Sequence, residues 1–199
     1  MVNKPFLTRM FGAFAALGTL AIVGLFAGAA FPAAGASTKT AARPASAGPA
    51  ATKTVAFSGQ YSGKASLLID NSTVTISSIS GSGKNSLFGA SKASGNGSAP
   101  KSSSSLCDPF GGKGSITGGA NKITFVVTRS GSQQGCSSGE SGAVTITFHG
   151  VAKASGGSGK GNGATGSLTF KGTLHLGGTS GAQSGNFTVS LTGKLTVKS

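Results

Sequence analysis

Residues 187–198 read Phe187-Thr-Val-Ser-Leu-Thr-Gly-Lys-Leu-Thr-Val-Lys198, and apolar and polar side chains alternate along them. The apolar set falls on one face of an extended strand and comprises Phe187, Val189, Leu191, Leu195 and Val197. A period of two is typical of a strand with one buried face and one solvated face, as in an antiparallel sheet. This stretch therefore predicts an all-β fold.

The same alternation extends upstream through much of residues 55–199, with Phe as the main core residue. Its inward positions are Val55, Phe57 and Tyr61; Ala65, Leu67 and Ile69; Val74 and Ile76; Ile123, Phe125 and Val127; Val144, Ile146 and Phe148; and Leu168, Phe170, Leu174 and Leu176. Turn-forming residues separate the strands at 70–71, 158–163 and 177–181. About eight strands fit into this segment.

Glycines inside these strands favour a closed sheet. Gly59, Gly150, Gly172 and Gly193 interrupt the pattern, and interior Gly often marks a bend where a sheet curls toward closure. Closure also removes the exposed edges that promote aggregation. We therefore predict a single antiparallel barrel of about eight strands over residues 55–199, with a β-sandwich as the alternative. An outer-membrane barrel is disfavoured, because one Tyr and no Trp cannot form aromatic girdles.

Residues 1–36 have the organisation of a bacterial-type signal peptide. Lys4 and Arg9 are followed by an apolar segment over residues 10–31. Ala34-Gly35-Ala36 then gives the small-x-small pattern that signal peptidase recognises. Ala27-Gly28-Ala29 is a second cleavage candidate, and a retained membrane helix is the alternative because 22 residues can span a bilayer. With cleavage at Ala34/Ala36, the mature protein has no membrane span and is extracellular, periplasmic or on the cell surface.

Residues 37–54 contain no large apolar side chain. Such a segment buries too little surface to offset the entropy of ordering, so we predict a disordered linker. The predicted organisation is therefore a signal peptide (1–36), a linker (37–54) and one barrel domain (55–199).

The charge is strongly positive. The chain has 17 basic and 3 acidic residues, a net charge of +14, and loss of Lys4 and Arg9 with the leader lowers it to +12. This charge favours an anionic partner such as a cell-envelope polymer, although solubility alone would also explain it. Specific nucleic-acid binding is not expected, because the chain offers no aromatic surface on which bases could stack.

Cys107 and Cys136 are the only cysteines. In an exported protein a lone pair predicts a disulfide, with Cα atoms about 4.4–6.8 Å apart. A metal site is disfavoured, because neither Cys has a second Cys or a His within a few residues.

Candidate catalytic residues are few. Asp70 and Asp108 stand at predicted turns, and Glu140 lies in a loop, where the disulfide would bring it towards Asp108. His149 and His175 both fall on the outward face, about 20 Å apart on hairpin strands in which Phe148 would oppose Phe170, so they cannot share a metal. We assign no catalytic, cofactor-binding or metal-binding residue and expect no cofactor.

Two glycine-rich segments superficially resemble phosphate-binding loops. Residues 81–85 and 157–161 each contain Gly-Ser-Gly-Lys, but no hydroxyl follows the Lys and no helix pattern follows the loop. We interpret both as glycine-rich turns that carry a lysine.

The segment 157–160, continued by Gly163-Ala-Thr-Gly-Ser-Leu-Thr-Phe-Lys-Gly-Thr173, resembles the glycine-rich hairpin of allene oxide cyclase/dirigent-type barrels, especially their small secreted bacterial relatives. Residues 57–63, 81–83 and 87–89 are similar to the early strands of that family. The resemblance implies an eight-stranded antiparallel barrel that is often oligomeric. In the plant enzymes of the family the barrel holds an apolar ligand and guides a cyclisation or coupling. Their polar catalytic residues match no positions here.

Together these features predict a secreted or envelope-associated, non-catalytic barrel with a basic surface and a binding or structural role. The expected partner is an anionic cell-envelope polymer or a small apolar ligand, and the family resemblance is compatible with a homo-oligomer. The alternative is a cyclase-like or ligand-guiding enzyme that uses an apolar barrel interior. A barrel filled solidly by Phe125, Phe148, Phe170 and Phe187 would exclude that alternative.

Overall fold

The computed structural model describes residues 50–102 and 104–199. The predicted signal peptide, its cleavage residues Ala34 and Ala36, and the predicted linker up to residue 49 lie outside the described residues. The first strand begins at Thr52, where Thr52 pairs with Lys198. Three residues that the sequence assigned to the linker are therefore part of the barrel, because the last strand extends far enough to pair with them.

The described residues form ten strands and one 3-10 turn. The strands are β1 (Thr52–Ile69), β2 (Thr73–Asn85), β3 (Gly89–Pro100), β4 (Cys107–Pro109), β5 (Gly111–Gly118), β6 (Asn121–Val127), β7 (Gln134–Ser137), β8 (Val144–Ser158), β9 (Thr165–Leu176) and β10 (Gly181–Lys198). The 3-10 turn spans Gly159–Gly161. Within the described part, no helix has the length and apolarity needed to cross a membrane.

Eight of the strands close an antiparallel barrel in the order β1-β2-β3-β5-β6-β8-β9-β10, with β10 returning to pair with β1. This confirms the predicted all-β barrel. The two short strands β4 and β7 pair with each other, and β7 pairs with residues 146–149 of β8. Strand β6 pairs with residues 153–158 of β8. Two strands in succession therefore cover one edge of β8.

The β8–β9 hairpin forms as predicted, with one difference in the inward pairs. His149 faces Lys171 and Thr145 faces His175, and both histidines are exposed on the outward face, as predicted. Phe148, however, faces Gly172, so the predicted pairing of Phe148 with Phe170 is wrong. A Cβ on Gly172 would lie 2.6 Å from Cζ of Phe148, so the ring occupies the space that a side chain on Gly172 would need. Large rings thus alternate with glycines across the pair.

Residues 81–85 are the main correction to the predicted elements. They were interpreted as a glycine-rich turn, but they form the end of β2 and pair with residues 59–63 of β1. Gly and Ser alternate in residues 80–83 of β2, beyond Val74 and Ile76, and small residues dominate the following strand β3, so neither segment carries the apolar period that reveals a strand. The pairing with β1 is what makes this segment extended.

The barrel has two different ends. At one end, which we call the closed end, large inward side chains are almost fully buried and fill the interior: Phe57, Ile123, Leu168, Leu195 and Val197. The 3-10 turn, whose Gly161 is buried, and the β2–β3 turn lie at the same end. The opposite end, the open end, is where β1 passes into β2, β9 into β10, and where β4 and β7 lie.

Candidate functional site

The open half of the barrel contains a cavity of about 530 Å³. Pockets for small molecules are typically about 300–1,000 Å³ and are lined mainly by apolar groups. Most of the side chains that line this one are aliphatic or aromatic, including Leu67, Ile79, Phe125, Phe187 and Leu191. Phe125, Phe148, Phe170 and Phe187, whose solid packing would have excluded an enzyme that uses the interior, line this cavity.

Small residues on two neighbouring strands create that space. The inward positions of β3 and β5 in this region are Ala93, Gly95, Gly97, Ala99, Gly112 and Gly114. Gly97 faces Gly112 across the two strands, and a Cβ on Gly112 would lie 2.3 Å from the carbonyl oxygen of Asn96. Only glycine fits so close an approach, and this wall of the cavity is consequently bare backbone.

An aromatic group lies on the other side of the cavity. The ring centroid of Phe110 lies 5.9 Å from that of Phe170 and 6.5 Å from that of Phe148, and the latter two are 6.4 Å apart. These separations lie in the favourable range for edge-to-face and tilted aromatic pairs. Phe110 is the single residue between β4 and β5, so the position of β4 determines where this ring sits.

The disulfide fixes β4 at the mouth of the cavity. Cys107 and Cys136 face each other across β4 and β7, and they are bonded with Cα atoms 4.0 Å apart, slightly closer than expected. This confirms the predicted disulfide. Phe110 N–H also donates to the carbonyl of Gln133, at 3.1 Å. The covalent link thus holds β4, and with it Phe110, against β7, which in turn pairs with β8.

Polar side chains border the cavity at the mouth. The two carboxylate oxygens of Asp108 accept from the backbone N–H of Ser102 at 3.1 and 3.3 Å, which joins β4 to the end of β3. Lys101 Nζ donates to the Thr179 carbonyl at 3.2 Å, and the Thr179 hydroxyl donates to the Glu140 carbonyl at 2.9 Å. Lys101, Asp108 and Glu140 therefore lie at the mouth, and the remaining charged residue that borders the cavity, Lys113, is an exposed outward residue of β5.

A buried polar cluster that the sequence analysis missed lies nearer the closed end. Asn85 Nδ2 donates to the Tyr61 hydroxyl and to Ser91 Oγ, both at 2.8 Å, and Tyr61 and Ser91 are 3.0 Å apart. Asn85 Oδ1 accepts from the backbone N–H groups of Leu87 and Phe88 at 2.9 and 2.7 Å. None of the three cluster residues lines the cavity. The cluster therefore anchors the β2–β3 turn to β1.

The remaining candidate residues do not assemble into a catalytic site. Asp108 and Glu140 both border the mouth, but Asp108 is used by the backbone of Ser102 and Glu140 is exposed. His149 and His175 are exposed on the outer face, where His175 Nδ1 and the Thr145 hydroxyl are 2.9 Å apart. Among the described residues, no three His, Cys, Asp or Glu side chains come together as a metal site.

Comparison of the chain with protein-family models, with curated proteins and with solved structures finds no match. The barrel is thus established by its own strand pairing, and the geometry of the cavity is the basis for inferring its function.

Proposed function

We propose that the barrel is a non-catalytic, secreted protein that holds a small apolar molecule in the cavity at its open end. The observation that carries the proposal is a cavity of about 530 Å³ with the glycines of β3 and β5 on one wall and phenylalanines on another. Burial of an apolar ligand there contributes roughly 25 cal/mol per Å² of surface removed from water. The resemblance to the allene oxide cyclase/dirigent-type barrels supports the same use of the interior.

Binding is favoured over catalysis by the position of the polar groups. A cyclase-like or ligand-guiding enzyme needs a charged or hydrogen-bonding group next to the reacting atoms. Here Lys101, Asp108 and Glu140 lie at the mouth, and the deeper walls are backbone, aliphatic and aromatic. The arrangement suits retention of a ligand better than proton transfer within the barrel.

The binding proposal is tested by filling the cavity from one wall. Val189 is an inward, half-buried residue of β10 that lines the cavity. The probe is N-phenyl-1-naphthylamine, a neutral apolar dye that fluoresces in apolar surroundings and is not drawn to basic surfaces. We expect Val189→Trp to weaken dye binding by about tenfold or more, because the indole occupies ligand space.

The matched control is Thr192→Trp, an exposed outward position on the same strand. It should bind the dye as the unchanged protein does. The two variants should retain the same strand content by circular dichroism. Affinity of the Val189→Trp protein within about twofold of the unchanged protein would place the dye outside the barrel and overturn the proposal.

Secretion is tested at the leader. Expression of the full chain in a secreting bacterium should give an exported protein whose N-terminal sequence starts at Ser37, because Ala34 and Ala36 fit the narrow pocket of signal peptidase. Ala36→Phe should block this cleavage, whereas Gly35→Gln, at the tolerant middle position, should not. A first residue of Ala30 would move the site to Ala29, and an uncleaved chain in the cytoplasm would contradict secretion.

A further inference from the structure

The charges of the barrel are distributed unequally between its two ends. All three acidic residues lie at the open end: Asp70 follows β1, Asp108 is in β4, and Glu140 borders the cavity mouth. The strand ends and turns at the closed end contain no acidic residue. They carry seven exposed lysines, namely Lys53, Lys84, Lys92, Lys122, Lys160, Lys194 and Lys198. One pole of the barrel is therefore uniformly basic.

Four of these lysines form a continuous series, the closed-end band: Lys84, Lys92, Lys122 and Lys160. Lys84 faces Ala90, which places it diagonally to Lys92, at about 7–8 Å between Cα atoms. Thr117 of β5 faces Lys92 on one side and Lys122 on the other, so these two lysines are separated by two strand spacings, roughly 10 Å.

The fourth lysine is held beside the third by a side-chain hydrogen bond. Asn121 Oδ1 accepts from the backbone N–H of Lys160 at 2.8 Å, and Lys122 is the next residue of β6. Lys84, Lys92 and Lys122 are thus spaced at roughly 7–10 Å, within the Debye length of about 10 Å at 0.1 M salt, so their potentials overlap. A band of this kind attracts a chain of negative charges more strongly than a single anion.

The surroundings of the band indicate which anionic partner it fits. Adsorption to a bilayer usually adds apolar side chains that enter the headgroup region. The large apolar side chains of the β2–β3 turn at this end, Leu87 and Phe88, are half-buried and pack against the core. Among the described residues, the exposed large apolar side chains are Leu68, Leu106 and Val126, none of which lies at this end. These features favour a hydrophilic polymer over a membrane.

We propose that the closed-end band is a docking surface for a linear polyanion that carries phosphate or carboxylate groups. The polymer lies across the ends of β2, β3, β5 and β6 and pairs with successive lysines. The cavity mouth is at the opposite end, so docking leaves it open. This proposal does not depend on the cavity and can fail or succeed without it.

The test compares two variants with the same change in net charge. In the band variant, Lys84, Lys92, Lys122 and Lys160 are replaced by Gln. In the wall variant, Gln replaces four exposed lysines of the barrel wall: Lys64, Lys113, Lys153 and Lys171. Binding of the full, exported chain to inorganic polyphosphate and to polygalacturonate is measured over a salt series. The two polymers distinguish phosphate from carboxylate recognition.

We expect the band variant to lose on the order of 30-fold in affinity at low salt and the wall variant to lose less than about threefold. The slope of log affinity against log salt should fall by roughly 2–3 in the band variant, at about 0.7 per lost contact with a flexible polyanion. The pairwise variants K84Q/K92Q and K122Q/K160Q should each show an intermediate loss, which guards against a folding defect in the fourfold variant. Dye binding in the cavity should stay unchanged in the band variant, because none of its four lysines lines the cavity.

Equal losses in the band and wall variants would show that net charge alone governs binding, and the docking surface would be rejected. Tighter binding to phosphatidylglycerol vesicles, or to single-stranded DNA, than to both polymers would also overturn the proposal, because the partner would then be a membrane or a nucleic acid.

Discussion

Replacement of both cysteines by serine is expected to lower the free energy of unfolding by about 3–4 kcal/mol, because the disulfide closes a loop with a sequence separation of 29 residues. The strands that it joins are short. Strand β4 has three residues and β7 has four, so little pairing remains when the bond is absent. The loss should be measured by urea unfolding of Cys107→Ser/Cys136→Ser, and the unchanged protein in excess dithiothreitol should reproduce it.

The same variant should change the mouth of the cavity before the rest of the barrel. Hydrogen exchange is expected to accelerate in residues 104–110 and 134–140, while β1, β9 and β10 stay protected. Because β4 positions Phe110 against Phe148 and Phe170, dye affinity should also fall. The control is Ser94→Ala, which removes an exposed hydroxyl pair with Ser115 and should change stability by less than about 0.5 kcal/mol. Unchanged stability and exchange in the double-Ser variant would contradict this role.

The closed barrel was predictable wherever the inward residues are large. In β1, β6, β8, β9 and β10 the alternation of apolar and polar side chains reports directly which face is buried, and the structure follows it. The disulfide was predictable because the leader pattern predicts export and two cysteines leave one pairing. Both inferences depend on local chemistry, which a single sequence contains.

The cavity could not be predicted, because it arises from side chains that are missing. Gly95, Gly97, Gly112 and Gly114 carry no hydrophobic signal, and the sequence alone does not show that they face one another across β3 and β5. Glycine inside the strands was interpreted only as a sign that the sheet bends. Glycine also leaves space: the wall formed by β3 and β5 offers the phenylalanines no side chain to pack against across the barrel, so they border a cavity.

The polar cluster was missed for a different reason. Tyr61 was assigned to the core on its alternation, and the 81–85 segment, which contains Asn85, was interpreted as a turn. Once β2 is recognised as a strand, Asn85 falls on the inward face, and a buried amide needs hydrogen-bond partners. The only Tyr described in the barrel and Ser91 are placed to supply them. The sequence therefore contained the residues of the cluster, but their burial could be inferred only once the register of β1 and β2 was known.

Asn85→Ala is expected to lower the free energy of unfolding by about 3–5 kcal/mol. The substitution removes four hydrogen bonds from a side chain in a residue that is 7% exposed. It leaves the backbone N–H groups of Leu87 and Phe88 without a hydrogen-bond acceptor. Each unsatisfied, part-buried donor lowers the free energy of unfolding by about 1–3 kcal/mol. Tyr61→Phe should cost only about 1 kcal/mol, since Asn85 and Ser91 still bond to each other. Urea unfolding measures both losses.

The matched control is Asn96→Ala, the same substitution at an exposed outward position of β3, which should lie within about 0.5 kcal/mol of the unchanged protein. Dye affinity separates a structural cluster from a ligand site. Because the cluster does not line the cavity, folded Asn85→Ala protein should bind N-phenyl-1-naphthylamine as tightly as the unchanged protein does. A stability within about 0.5 kcal/mol of the unchanged protein would contradict the anchoring role, and a selective loss of dye binding would make Asn85 part of the binding site.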